Sequence, residues 1–133
     1  MVHLKKNQDL GMLLLRLSVG AVFVAHGWAK FASMADTIGF FGQLGMPAVL
    51  AYVVATIELL GGLALIIGIY TDIAALLLAV VMAVALVYVK MIKFKAGFVG
   101  GYEYDLVLLA ANLTIVFVGT GSHTVRRLLK KSM

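Results

Sequence analysis

Arg16, His26, Glu58 and Asn112 stand inside long apolar stretches of this 133-residue chain, and Lys30, Glu103 and Asp105 stand at the edges of such stretches. Side chains of these types exchange protons, donate hydrogen bonds to carbonyl oxygens or hold opposite charges together. Histidine gains and loses its proton near neutral pH, and carboxylates do so when burial and neighbours retune them. Other chemistries find no residues to carry them. The chain has no cysteine, so it offers no thiol-disulfide exchange, no thiolate metal site and no disulfide. His3, His26 and His123 are too far apart in depth to share a metal, and no metal site is expected. No phosphate-binding glycine loop and no nucleophile triad is present. Asn112-Leu113-Thr114 matches a glycosylation acceptor but falls inside an apolar run, where that modification does not occur.

The elements that must position these residues follow from composition. With 63% hydrophobic and 13% charged residues and a mean hydropathy of +1.08, the chain has too little polar surface to cover a soluble globule. Lipid is the expected solvent. Apolar runs cover about 10–31, 47–70, 73–92 and 104–118, roughly 15 to 24 residues each; at ~1.5 Å per residue, three cross a ~30 Å hydrocarbon core and the fourth nearly does. The expected fold is therefore all-α, an integral membrane four-helix bundle forming a single transmembrane domain over 1–133. The first run reads as a retained helix rather than a signal peptide. It exceeds the ~7–15 apolar residues of such peptides, holds Arg16 and His26, and lacks a small-x-small cleavage site.

Between the runs, 32–46 reads as a loop, with Gly42 and Gly45 as turn residues and Pro47 as the first residue of the second helix. Tyr70-Thr71-Asp72 reads as a tight turn, with Thr71 or Asp72 capping the third helix. Gly97, Gly100 and Gly101 break the chain before the fourth. Trp28, Tyr52, Tyr102 and Tyr104 suit an aromatic belt. The net charge of +5 gathers at helix ends, where it meets lipid headgroups, and nucleic acid is not an expected partner. Lys5, Lys6, Arg126, Arg127, Lys130 and Lys131 on the side of the termini outnumber Lys30, Lys90, Lys93 and Lys95 on the other, which favours both termini in the cytoplasm.

A charge at the centre of a membrane helix costs about 2.5–3.5 kcal/mol on insertion scales, so such residues turn inward and find partners. Arg16, Gly20, Gly27 and Lys30 return to one helical stripe with His26 slightly aside, and Glu58 shares a face with Gly61, Gly62 and Leu65. Small residues beside ionisable ones let membrane helices approach closely. Glu58 lies halfway along its run and Arg16 about a third along an antiparallel neighbour, which predicts an Arg16–Glu58 ion pair. His26, Lys30, Glu103 and Asp105 fall toward the opposite end, where they are expected to line a pocket with Glu58 at its floor. Each has a plainer reading: register fixing for Arg16 and Glu58, a helix-to-helix bond for His26, snorkelling for Lys30 and helix capping for Glu103 and Asp105. Asn112 is expected to bridge helices. The third span, whose stretch 73–89 holds no ionisable side chain except Tyr88, is expected to be structural.

Taken in order, Arg16-Leu17 with Gly20, His26-Gly27-Trp28-Ala29-Lys30-Phe31, Glu58-Leu59-Leu60-Gly61-Gly62 and Gly100-Gly101-Tyr102-Glu103 resemble the signatures of the DoxX family of small four-helix membrane proteins. Leu44-Gly45-Met46-Pro47 and Gly119-Thr120-Gly121-Ser122 are also similar, so the resemblance covers nearly the whole chain. It implies a prokaryotic cytoplasmic (inner) membrane location. The family's name comes from a membrane subunit of a thiosulfate:quinone oxidoreductase, and its members are associated with redox-stress complexes and with quinone or catechol detoxification. Arg16, His26, Lys30, Glu58 and Glu103 match its motifs, and none departs from the pattern.

Three functions fit these residues. The first is the membrane component of a quinone-linked oxidoreductase, with a polar intramembrane pocket for a quinone-like or lipid-like ligand. Electrons then come from a redox partner protein, because no flavin, haem or iron–sulfur motif is evident. The second is a non-catalytic scaffold or assembly partner, and the third, disfavoured by the lack of a repeat or broken helix, is a small-solute or proton carrier. Membrane lipids are partners under all three, and self-association into a homo-oligomer stays open.

Overall fold

A computed structural model describes residues 5–132, and His3 lies outside them. The described residues form α1 (Gln8–Ala32), α2 (Met34–Gln43), α3 (Ala48–Ile67), α4 (Thr71–Val84), α5 (Glu103–Val118) and α6 (Val125–Ser132). α4 continues without interruption as a π-helical segment, Ala85–Lys93, and Phe98–Tyr102, a kinked turn with Val99 extended and Gly100 left-handed (φ 72°), leads into α5. Four of the helical stretches among the described residues are long and apolar enough to cross a membrane: Gln8–Ala32, Ala48–Ile67, Thr71–Lys93 and Phe98–Val118. The protein is an all-α, integral membrane four-helix bundle. Its outer face is rich in exposed Leu, Val and Ile, as lipid contact requires.

α1 packs most extensively on α3 and α4 on α5, with the α3–α4 contact joining the two pairs. Close approach of α1 and α3 depends on glycines. A Cβ on Gly27 falls 2.6 Å from the Leu59 amide nitrogen, and one on Gly62 falls 2.7 Å from the Gly20 carbonyl oxygen. No larger side chain fits there unless the backbones part. Phe23, Leu65, Leu78, Met82, Leu108 and Ile115 fill the interior between the two pairs.

Several local expectations are corrected. The 32–46 connection is not a plain loop, because it folds as α2; Phe41 and Leu44 are buried, so the segment has an apolar side to dock that its polar composition concealed. Pro47 sits one position earlier than expected, as the extended N-cap residue of α3. Neither Thr71 nor Asp72 caps α4. Tyr70 occupies that position in the left-handed conformation (φ 51°) with no side-chain cap, and Thr71 is buried as the first helical residue. The chain beyond the fourth span also forms a helix, α6, whose basic side chains alternate with Val125, Leu128 and Leu129.

Candidate functional site

Arg16 lies in α1, Lys30 nearly four helical turns further on. The antiparallel register set by the glycine contacts, with Gly20 against Gly62 and Gly27 against Leu59, decides what each can reach. Lys30 faces the middle of α3, and its Nζ lies 2.9 Å from Glu58 Oε2. Arg16 faces the C-terminal end of α3 instead. Its Nε donates to the Leu65 carbonyl (3.0 Å), Nη1 to the Thr120 carbonyl (2.8 Å) and hydroxyl (3.3 Å), and Nη2 to the His123 carbonyl (2.8 Å). The expected Arg16–Glu58 pair is therefore wrong. Leu65 lies seven residues beyond Glu58, about 10 Å along a helix at ~1.5 Å per residue, beyond what a guanidinium already held by three carbonyls spans. Lys30 is the partner of Glu58, so it does not snorkel away from the bundle.

The pair stands in the wall between two cavities. The smaller, about 130 Å3, is lined by Phe23, His26, Lys30, Glu58, Tyr104 and Asp105, with Val81 and Met82 of α4 and Ala85 of its π-helical extension closing it. The larger, about 390 Å3, runs among α2, α3 and α4; Phe41, Leu44, Leu50, Val54, Ile57 and Val84 make it apolar, and Lys30, Glu58 and Lys90 mark its polar edge. Ligand pockets commonly occupy ~300–1,000 Å3, so the larger cavity is ligand-sized and the smaller takes a ring-sized group.

Polar groups of the smaller cavity are only partly committed. Glu58 is 5% exposed and holds Lys30, whose side chain keeps some access. Asp105, also 5% exposed, has Lys90 Nζ 3.4 Å from its Oδ2. That separation is an ion pair without an aligned hydrogen bond, and Oδ2 has no hydrogen-bond donor in the protein. Lys90 reaches the site because the helix carrying it continues as the π-helical segment. Such segments are frequent at functional sites. His26 Nε2 and the Tyr104 hydroxyl are 3.4 Å apart with their rings tilted against each other, a loose contact that leaves the imidazole able to bond elsewhere.

His26, Lys30, Glu58 and Asp105 thus surround one cavity, while Arg16 and Glu103 do not reach it. Glu103 accepts from the Gly100 N–H (2.9 Å) and steadies the turn that starts α5. Asn112 does not bridge helices: its Nδ2 donates to the Leu108 carbonyl of its own helix, and Oδ1 is buried without a partner. The third span is not merely structural either, since α4 closes both cavities and its π-helical extension supplies Lys90. Two lining residues escaped the sequence reading. Tyr104, which suits an aromatic belt by sequence, lines the smaller cavity, and Lys90, which sequence places in a headgroup-facing cluster, lines the larger one and pairs with Asp105; the signal for both is their position beside Asp105, one in sequence and one in charge. Among the described residues no group of three or more His, Asp or Glu side chains is placed to hold a metal ion.

The chain is similar over most of its length to several bacterial proteins. The chain is 39% identical over 117 residues to a Bacillus subtilis protein named "Putative oxidoreductase CatD", covering 88% of this chain and 85% of that one. It is 27% identical to "Inner membrane protein YqjF" of Escherichia coli, over 96% of this chain and 98% of that one. It is also 33% identical to an uncharacterized protein of Haemophilus influenzae, over 92% of this chain and 91% of that one. No solved structure matches it significantly. The DoxX family profile matches residues 11–91, from the first span to the end of the third and across the Arg16, His26, Lys30 and Glu58 motifs, and the chain belongs to the DoxX family.

Proposed function

We propose that this protein is the membrane component of a quinone-linked oxidoreductase in a bacterial inner membrane, with both termini cytoplasmic, and that the Lys30–Glu58 pair is where a quinone headgroup is held. The observation that carries the reading is the place of that pair, in the wall shared by a small polar cavity and a larger apolar one. An amphiphile with a polar ring and an apolar tail needs both. The oxidoreductase name of the Bacillus relative and the membrane name of the Escherichia relative support the same direction.

The residues fit such a ligand. Lys30 Nζ and an imidazole N–H of His26 donate to carbonyl oxygens, and Asp105 Oδ2, which has an ion-pair partner but no hydrogen-bond donor, accepts from a ring hydroxyl. Phe23 and Tyr104 offer apolar and aromatic walls to the ring, and the cavity among α2, α3 and α4 receives the tail. A bound quinone supplies a redox couple in which electron transfer and protonation are linked. The protein's own part is to orient the ring between hydrogen-bond donors and the carboxylates Glu58 and Asp105, each balanced by a lysine. Electrons enter from a partner protein that carries the redox centre.

Equilibrium binding of a decyl-tailed benzoquinone to the detergent-purified protein tests this. Wild type is expected to bind saturably. His26→Ala and Glu58→Gln are each expected to weaken binding about tenfold, the loss of one hydrogen bond to or around a charged group. An absence of binding, or variants that bind like wild type, contradicts the reading.

A further inference from the structure

Arg16 is 1% exposed, yet among the described residues it has no carboxylate partner. All four of its hydrogen bonds go to neutral oxygens. The carbonyl end of α3 carries about half a negative charge, which offsets part of the cation and leaves the rest uncompensated. A buried charge without a counter-charge is costly, so its persistence calls for an anion. A guanidinium has five N–H donors, and these bonds leave one unused.

Arg16 also lines a cavity of about 430 Å3. Arg127 and Lys131 of α6 line it too, as do Leu13 of α1 and Ile66 and Ile67 of α3. The nearby carboxylate, Asp9, is engaged by the Ser122 N–H (3.0 Å) and is not among the lining residues. The cavity lies about 21 Å along α1 from Lys30, at ~1.5 Å per residue, and is separate from the quinone site.

We propose that this cavity is a binding site for an anionic phospholipid, its phosphate held by Arg16, Arg127 and Lys131 and its acyl chains lying against Leu13, Ile66 and Ile67. The apolar wall selects a lipid over free phosphate, which has nothing to place there. α6 points the same way: Val125 and Leu128 are exposed on a helix that also carries Arg126, Arg127, Lys130 and Lys131. That composition belongs at a membrane surface, where each basic residue adds to the attraction for anionic headgroups.

The test is native mass spectrometry and thermal unfolding of the detergent-purified protein with phosphatidylglycerol, phosphatidylcholine or inorganic phosphate. One phosphatidylglycerol per chain is expected to be retained and to raise Tm, with phosphatidylcholine and inorganic phosphate ineffective. Arg16 variants are expected to lose the carbonyl clamp as well, so the decisive variant is Arg127→Ala/Lys131→Ala, expected to weaken phosphatidylglycerol binding roughly thirty-fold at ~1 kcal/mol per basic residue. Arg126→Ala/Lys130→Ala, whose residues do not line the cavity and add only a diffuse surface attraction, is expected to weaken it no more than about threefold. Equal retention of phosphatidylcholine, or equal weakening by both double variants, overturns the site. Stabilisation by inorganic phosphate as strong as by lipid overturns the lipid as its occupant.

Discussion

Leucine in place of Gly27 is expected to push α1 off α3 and to remove most of the folded protein from detergent extracts. A Cβ there meets the Leu59 nitrogen at 2.6 Å, its Cα at 2.9 Å and the Ala55 carbonyl oxygen at 3.0 Å. All three are backbone atoms of a continuous helix, which cannot step aside as a side-chain tip does. Overpacking costs about 1–3 kcal/mol when side chains can adjust, so a branched side chain against rigid backbone is expected at or above ~3 kcal/mol. The consequence reaches the site, because the same register sets Lys30 opposite Glu58. Gly11 is the matched control, with nothing within 4 Å of its added Cβ, and leucine there is expected to change stability by less than ~0.5 kcal/mol. Thermal unfolding of both variants beside wild type checks this; equal losses at the two positions contradict the glycine-dependent interface.

Arg16→Met is expected to be comparably damaging for a different reason. Its guanidinium gathers the Leu65, Thr120 and His123 carbonyls, which belong to the end of α3 and to the segment that returns from α5 toward α6. Methionine fills much of the volume but leaves these acceptors without their donor, at about 1–3 kcal/mol for each one that stays buried. The expected result is a loss of at least ~3 kcal/mol, together with new protease cleavage within 119–132 once that segment is no longer tied to α1 and α3. Limited proteolysis with intact-mass readout detects it. An Arg16→Met protein with wild-type Tm and an uncut C-terminal segment contradicts the clamp.

The same arginine shows how far sequence alone carries the structure. Apolar runs place the four spans, since each spans a fixed thickness and the energetic cost of exposed polar backbone in lipid leaves little choice. Helical spacing places Arg16 and Lys30 on one face of α1 and Glu58 on the glycine-bearing face of α3. Which of the two cations meets Glu58 depends on axial register, and periodicity carries no information about sliding along the axis. The glycine contacts fix that register, and they favour Lys30. Arg16 then takes its partners from Leu65 at the end of α3 and from 120–123, a turn sequence whose folded position depends on the whole bundle. Lys90 was hidden for a local reason: a π-helical segment changes the angular position of every residue within it, so α-helical spacing does not predict where its lysine points. α6 is short, and eight residues of mixed basic and apolar character look the same on paper whether solvated or packed at a membrane surface.

The small polar cavity itself was legible as a set of residue types, because buried ionisable groups in lipid have few places to go. Its partition from a second, apolar cavity was not, since that depends on α2 folding back over α3 and α4. The two-cavity arrangement is what gives the quinone reading a definite geometry: ring at Lys30, His26 and Asp105, tail among Phe41, Leu50 and Val84.

Photolabelling of the protein in vesicles with an azido-benzoquinone, followed by peptide mapping, tests that geometry most directly. The account predicts adducts concentrated within 22–30 of α1, 81–85 where α4 passes into its π-helical extension and 104–108 of α5, competed by unlabelled quinone and reduced in Glu58→Gln. Adducts confined to lipid-facing positions such as Leu60 and Leu76, indifferent to competitor and to the Glu58 substitution, would contradict it.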